Sequence, residues 1–285
     1  MRIGVVCTMN QARSPFAELV LRTNFPEHDF YSSGVKAIFG TPVMDSVIAT
    51  AKEWGMNSPK KSSTTIFNDE NLILNSELVL VAEPEQKVTI SQLGFSNHLR
   101  SFNEIFEDQD FTPKDPEGLA FDSIKRELGK VAAVSIRAVL DLDGFKTANP
   151  IYAVIPHGVS DLGMALAHAQ LERVSRGAIL IDADIRAPHD EEIASAGLEK
   201  VFFDIQDLES VDFSQVSSNQ ILSHVREVDF PEKFFIKPLW RNFLLRASEI
   251  APVVVVTAPR HSHLRKLADS YLAAYMADEF SVISC

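Results

Sequence analysis

The chain has 285 residues, more than one average domain, and its 46% hydrophobic and 23% charged residues are typical of a globular protein. Acidic residues outnumber basic ones by 39 to 27, and the resulting charge of −12 argues against nucleic acid or an anionic membrane surface as a partner. The two cysteines, Cys7 and Cys285, exclude a disulfide framework and a cysteine-rich zinc site, and they favour a reducing, cytoplasmic location.

Short apolar runs alternate along the chain with longer amphipathic stretches, which is the pattern of an α/β protein. No run reaches the ~18 apolar residues of a membrane span, and the first residues do not resemble a signal peptide. Buried strands are predicted at residues 3–6, 78–81, 151–155, 178–181 and 253–257. Helices are predicted at residues 15–23, 44–54, 122–140, 164–174 and 262–277.

A domain boundary is predicted in residues 141–150, which contain Gly144 and Pro150 and show no periodicity. The expected domains are residues 1–145 and 150–285. Each is expected to have three layers, with a mostly parallel sheet covered by helices on both faces. In such sheets ligands bind beyond the carboxyl ends of the strands, so we expect the active site at the end of the first strand.

The most informative segment is C-T-M-N-Q-A-R-S-P, residues 7–15, which follows the first strand and leads into the first helix. Ser14 and Pro15 suit the N-cap and the first turn. Loop N–H groups, the helix N-terminus and the guanidinium of Arg13 would form a cradle for an anion of phosphate size. This positive field favours the thiolate of Cys7, a nucleophile for displacement at phosphorus. For C-x5-R alone, a buried cysteine followed by a surface arginine remains the alternative.

At these residues the sequence resembles the low-molecular-weight protein tyrosine phosphatases, a family that includes thiol-dependent arsenate reductases. Residues 7–18, C-T-M-N-Q-A-R-S-P-F-A-E, follow the family loop C-x-G-N-x-C-R-S-P-x-A-E in order. The resemblance continues through S-S-G-V-K-A at 32–37, G-T-P-V-M-D at 40–45, L-V-L-V-A-E at 78–83 and P-K-D-P at 113–116. It covers the N-terminal half of the chain and implies the fold of that family for the first domain.

The resemblance also implies a two-step cysteine mechanism that needs no metal or cofactor. Cys7 would form a phosphocysteine intermediate, Arg13 would clamp the phosphate, and Ser14 would donate to the thiolate. Asp115 would protonate the leaving oxygen and later activate water. For a D-P pair alone, an ordinary turn residue is the alternative.

The resemblance further implies that Asn10, helped by Ser32, holds the loop in a strained shape. The residues expected around the phosphate are Thr8, Met9, Asn10, Gln11, Ala12 and Arg13.

Three departures from the family pattern bear on activity. Met9 replaces the loop glycine, so its backbone is expected to be strained if that position needs a positive φ. Ala12 replaces the second loop cysteine, which excludes a protective disulfide with Cys7. Glu117 and Gly118 stand where an aromatic pair usually follows D-P, so the expected wall for a phosphotyrosine ring is missing. Phe39 and Phe111 are the candidate replacements.

The C-terminal half weakly resembles the deviant-Walker ATPases in residues 151–167 and 178–188. Asp161 and Leu162 stand where the phosphate-binding Lys and Thr would be, so we expect that nucleotide binding is lost. Any parallel strand–loop–helix–strand unit would give a similar pattern, and that alternative stays open. Asp182 and Asp184 are expected to be solvated rather than to bind magnesium.

No metal site is predicted in the sequence. The pair His261 and His263 lacks a cysteine or a positioned carboxylate nearby, so it is interpreted as a surface feature.

The leading functional prediction is hydrolysis of a phosphomonoester, with a phosphotyrosine protein as the candidate substrate. The C-terminal domain is expected to regulate this activity or to bind a partner protein or a second copy of the chain. Neither nucleic-acid binding nor membrane insertion is expected. Two alternatives remain open: a thiol-dependent arsenate reductase, and a non-catalytic regulator that binds phosphate or a phosphopeptide.

Overall fold

The computed structural model describes residues 1–106, 112–183, 221–222, 235–236, 238–257 and 273–284. The chain divides into two compact units, Met1–Phe145 and Lys146–Cys285. None of the helices in the described part of the chain combines the length and apolar character that a bilayer crossing requires.

The N-terminal unit is built on a parallel sheet of four strands in the order β2-β1-β3-β4. The strands are β1 (Arg2–Cys7), β2 (Asp29–Gly34), β3 (Leu78–Val81) and β4 (His98–Ser101). Central strands of a parallel sheet are buried on both faces, and β1 and β3 accordingly carry continuous apolar runs. Their carboxyl ends lie side by side, because Val6 pairs with Val81.

Among the described residues of this unit, five helices cover the sheet. They are α1 (Arg13–Asn24), α2 (Asp45–Glu53), α3 (Glu70–Leu74), α4 (Pro84–Gln92) and α5 (Phe121–Leu142). On one face, Ile73 of α3 and Ile90 of α4 share a core with Val6, Val79 and Val81. Helix α1 packs against β1, β2 and α5. Trp54 is buried, and its ring lies 5.4 Å edge-on from that of Phe16.

The C-terminal unit contains a second parallel sheet, in the order β7-β6-β8-β5-β9. Its strands are β5 (Ile151–Pro156), β6 (Ile179–Asp182), β7 (Ile221–Leu222), β8 (Val253–Val256) and β9 (Glu279–Ile283). Ala165 and Ala169 of α6 (Leu162–Arg176) pack on this sheet. Helix α7 (Pro238–Ile250) buries Trp240 completely, and its ring stacks on that of Phe243 at 5.8 Å.

The α/β prediction with parallel sheets is confirmed, and each predicted strand matches an observed one within two residues. Four of the predicted helices are present, while the fifth, at residues 262–277, falls largely outside the described residues. Elements that the sequence prediction missed are β2, β4, β7, β9, α3, α4 and α7. β2 reads D-F-Y-S-S-G and β4 reads H-L-R-S, so neither shows an apolar run, yet pairing buries most of β2.

Candidate active site

The loop after β1 surrounds a pocket of about 150 Å³. Cys7 ends β1 and Arg13 begins α1, so residues 8–12 make the whole turn. The backbone N–H groups of Met9, Gln11 and Ala12 donate to no protein group in the described ranges. The loop therefore leaves N–H donors free for an anion, as helix N-termini do. The pocket is lined by Cys7, Met9, Gln11, Ala12, Arg13, Met44, Asp115 and Glu117.

Ser14 does not cap the first helix, which corrects the sequence prediction. The helix begins at Arg13 and Ala12 takes the N-cap position without a side-chain cap. Ser14 is thereby placed inside the first turn, with its Oγ 3.0 Å from the Sγ of Cys7. The backbone N–H of Asn10 also points at that sulfur, at 3.3 Å. Both donors would stabilise a thiolate at this buried position.

Asn10 determines the shape of the loop. Its φ of +52° is the one positive φ at a non-glycine residue among the described residues, and asparagine tolerates this region better than other side chains. The side chain donates to the Oγ of Ser14 at 2.8 Å and to that of Ser32 at 3.1 Å, and its Oδ1 accepts from the Thr64 backbone at 2.8 Å. Met9 has no positive φ, so the condition under which strain was expected there is not met; the left-handed residue is its neighbour Asn10.

A second layer of polar side chains lies behind Asn10 and was not identified from the sequence. The Oγ of Ser32 donates to Glu18 at 2.7 Å, and Glu18 pairs with Arg22 at 2.8 Å. The Nζ of Lys60 donates to the backbone oxygen of Ser32, and also to the Oγ1 of Thr64 at 3.0 Å. Burial lowers the pKa of Lys60, whereas the charge of Glu18 acts in the opposite direction. Glu18 is part of the quoted family loop, but no local pattern singles out Lys60.

Gly34, at the end of β2, lies directly against the loop. A Cβ on this residue would approach the backbone oxygen of Thr8 to 2.8 Å and the backbone nitrogen of Asn10 to 2.9 Å. The N–H groups of Val35 and Lys36 continue this contact by donating to the carbonyls of Cys7 and Thr8 at 3.0 and 2.9 Å. A side chain at Gly34 would therefore push the loop away from β2.

Arg13 lies at the base of the pocket between two carboxylates. Its side chain is 2% exposed and donates to Glu83 at 2.9 Å and to Asp115 at 2.6 Å. The structure thus brings Asp115, 102 residues away in sequence, to the guanidinium. The second oxygen of Asp115 accepts from the backbone of Glu117 at 3.1 Å, which holds the turn after D-P.

Glu83 and Gln86 lie just beyond β3, at the N-cap and in the first turn of α4, and contact Arg13 and Thr8; the sequence reasoning assigned neither a role. Gln86 donates to the Oγ1 of Thr8 at 3.1 Å, and its side-chain oxygen accepts from the backbone of Ala82 at 3.1 Å. Glu83 ends the segment L-V-L-V-A-E quoted above. Had the strand in that segment been assumed to pair in parallel with β1, Glu83 would have been expected beside the loop.

The pocket walls contain no aromatic side chain among the described residues; their large apolar side chains are those of Met9 and Met44. Phe39, one of the candidate aromatic replacements, is 67% exposed and does not line the pocket. Phe111, the other candidate, lies outside the described residues.

The loop after β5 has the same strand–loop–helix arrangement in the C-terminal unit. The carboxylate of Asp161 accepts from the backbone N–H of Gly158 at 2.8 Å and is 4% exposed. The Asp161 carboxylate thus accepts from the Gly158 N–H, which a phosphate bound in this loop would need as a donor. Asp182 is 4% exposed, so the expectation that it is solvated is wrong.

Asp184, His261 and His263 lie outside the described residues. Within the described ranges, no three His, Cys, Asp or Glu side chains are grouped so that they could hold a metal ion.

Comparison with known proteins places the N-terminal region in a family. Residues 2–132 match the model of the family described as low molecular weight phosphotyrosine protein phosphatase. Over 132 residues the chain is 23% identical to the low molecular weight protein-tyrosine-phosphatase PtpB of Staphylococcus epidermidis, covering 46% of this chain and 91% of that protein. It is 28% identical over 117 residues to the probable phosphatase EpsP of Ralstonia nicotianae, covering 40% of this chain and 77% of that one.

Among solved structures, a YwlE mutant from Bacillus subtilis aligns with a TM-score of 0.45 and 23% identity, covering 50% of this chain and 99% of that one.

Proposed function

We propose that the N-terminal domain, a hydrolase domain of the low molecular weight phosphotyrosine protein phosphatase family over residues 2–132, cleaves phosphomonoesters through a phosphocysteine intermediate. The observation that carries this proposal is the convergence of three groups on one pocket. The Sγ of Cys7, the guanidinium of Arg13 and the carboxylate of Asp115 all line it. These are a nucleophile, an anion clamp and a proton donor, which together suffice for phosphoryl transfer.

In the first step the thiolate of Cys7 attacks phosphorus, and the bond between phosphorus and the leaving oxygen breaks. The loop N–H groups and Arg13 stabilise the charge on the equatorial oxygens. Asp115 gives its proton to the leaving oxygen, so that an alcohol or phenol departs. In the second step water attacks phosphorus, Asp115 takes the proton back, and the phosphorus–sulfur bond breaks to restore the thiolate.

The ion pairs of Arg13 support a rearrangement when the phosphate binds. A guanidinium has five N–H donors, and two carboxylates engage only part of them. A dianion between Arg13 and Cys7 competes with Asp115 for the guanidinium. Asp115 is then released to face the leaving oxygen, and its side chain is already 49% exposed.

A phosphotyrosine protein is our proposed substrate class. Met9 and Met44 are the large apolar side chains of the pocket, and thioethers make favourable contacts with aromatic rings. The ring of the substrate would therefore lie between two methionines instead of against an aromatic wall. For the C-terminal domain the proposed role remains regulation or partner binding. The proposed loss of nucleotide binding is supported by Asp161, whose carboxylate accepts from the Gly158 N–H in the loop after β5.

The test is hydrolysis of aryl phosphates by the wild-type chain and by three variants. Cys7→Ser should abolish turnover, because a serine hydroxyl is not ionised at neutral pH. Asp115→Asn should slow phenyl phosphate far more than p-nitrophenyl phosphate, because nitrophenolate leaves without a proton. Glu117→Gln is the matched control, since it removes a neighbouring pocket carboxylate that is not the proposed acid, and it should retain turnover.

Other outcomes would identify the alternatives. If the wild-type chain binds inorganic phosphate but does not hydrolyse the esters, the protein is a phosphate-binding regulator and not an enzyme. Arsenate-dependent consumption of a low-molecular-weight thiol, without ester hydrolysis, would establish a reductase. An equal effect of Asp115→Asn on the two esters would show that Asp115 is not the general acid.

A further inference from the structure

Lys60 is a lysine held inside the N-terminal domain behind the loop. It lies between α2 and α3, and its ammonium group donates to the backbone oxygen of Ser32 and to the Oγ1 of Thr64. These two residues also contact the side chain of Asn10, which donates to Ser32 and accepts from the backbone of Thr64. Lys60 therefore links, through hydrogen bonds, the two segments that contact the side chain of Asn10, one containing Ser32 and the other Thr64.

The hydrogen-bond acceptors of Lys60 are neutral, whereas those of Arg13 are charged. Arg13 donates to the carboxylates of Glu83 and Asp115, so much of its positive charge is balanced within the pocket. In the described part of the chain, Lys60 donates to a carbonyl and a hydroxyl. No carboxylate is directly hydrogen-bonded to it there, although the charges of Glu18 and Asp69 also act on its ammonium group.

Charged groups face Lys60 from each element packed around it. Helix α1 contributes Glu18, which is paired with Arg22, and the residue before α3 is Asp69, which accepts from the Oγ of Ser33. Strand β1 contributes Cys7, whose thiolate attracts the ammonium group. The same loop that binds the phosphate thus has one cation at its base, Arg13, and a second cation behind it.

A partly buried ammonium group is unfavourable for folding. Burial lowers the pKa of Lys60, which means that the protein environment disfavours its charged form. A methionine would fill the same space without a charge to desolvate. A partly buried charge that opposes folding, and that is hydrogen-bonded to both segments contacting Asn10, suggests a function in positioning the loop.

We infer that Lys60 is a positioning residue whose charge, acting through the Ser32–Asn10–Ser14 network, keeps Cys7 ionised and the loop in its binding shape. The inference rests on the proposed function in one respect, namely that Cys7 reacts as a thiolate. It does not require that any particular ester is the substrate.

The test is the pH dependence of Cys7 alkylation by iodoacetamide in the full chain, with Cys285→Ser in every sample so that one thiol reacts. Lys60→Met should move the midpoint of the alkylation profile upward by about half a pH unit or more, as expected for the loss of a nearby opposite charge. Lys60→Arg should keep the midpoint near that of the wild type. Lys61→Met is the matched control, because Lys61 is the exposed neighbour, and its profile should be unchanged.

Coincident midpoints for wild type and Lys60→Met would overturn the inference, as would an equal shift in Lys61→Met. Should Lys60→Met fail to fold by circular dichroism, Lys60→Gln retains a donor to Ser32 and should give the same shift. Alkylation needs no turnover, so the outcomes are separable. A shifted midpoint without aryl phosphate hydrolysis would refute the proposed function alone, and hydrolysis with coincident midpoints would refute the role of Lys60 alone.

Discussion

Replacing Asn10 tests how the loop is held, because this residue combines a left-handed backbone with three side-chain hydrogen bonds. In Asn10→Ala the backbone at φ +52° becomes unfavourable by about 1 kcal/mol relative to asparagine. The bonds to Ser14, Ser32 and the Thr64 backbone are lost as well. At about 1 kcal/mol each where one partner remains buried, they add about 3 kcal/mol. The expected loss of unfolding free energy is therefore about 4 kcal/mol.

Asn10→Gly separates the two contributions. Glycine adopts a positive φ without strain, so this variant should lose the hydrogen bonds alone and be more stable than Asn10→Ala by about 1 kcal/mol. Urea unfolding measures both free energies. With Trp240→Phe in every sample, the fluorescence reports on Trp54, which packs in the N-terminal domain against Phe16. Both variants should also lower kcat/KM for an aryl phosphate at least tenfold, because the loop donors are no longer positioned.

Two results would refute this reasoning. Equal unfolding free energies for Asn10→Gly and Asn10→Ala would mean that the backbone strain is not real. Wild-type stability in both variants would mean that the three bonds contribute nothing net to the folded state.

Gly34→Ala should reduce kcat/KM by tenfold or more and lower the unfolding free energy by about 1–3 kcal/mol, because its Cβ would overlap the backbone of Thr8 and Asn10 and displace the loop; unchanged kinetics would contradict the close approach. Glu83→Gln should tighten competitive inhibition by inorganic phosphate about two- to fivefold, since it removes one exposed carboxylate from Arg13; weaker inhibition would show that the carboxylate orients the guanidinium instead. Lys60 has a lowered pKa in the folded state, so the unfolded chain binds more protons between that pKa and the usual value of 10.5. Unfolding free energy should therefore rise with pH across this range in the wild type relative to Lys60→Met, and parallel urea-derived curves would count against a buried ammonium.

Much of the fold was accessible from sequence because central parallel strands are apolar along their whole length. This pattern identified β1 and β3, and also β5, β6 and β8. Strand β2 was not predicted, because its end, S-S-G, carries polar side chains. These side chains are buried and form hydrogen bonds with Asn10, Glu18 and Asp69. A polar residue whose partner is distant in sequence looks locally like a surface residue.

The sequence by itself determined the order of chemical groups in the loop, from Cys7 to Arg13, because a strand, a tight turn and a helix N-terminus are local structures. The tertiary structure decided which distant residues meet that loop. It joined Asp115 to Arg13, placed the positive φ at Asn10, and brought Lys60 behind the loop. The physical reason is that these contacts depend on which strand ends lie side by side, and no local periodicity encodes that arrangement.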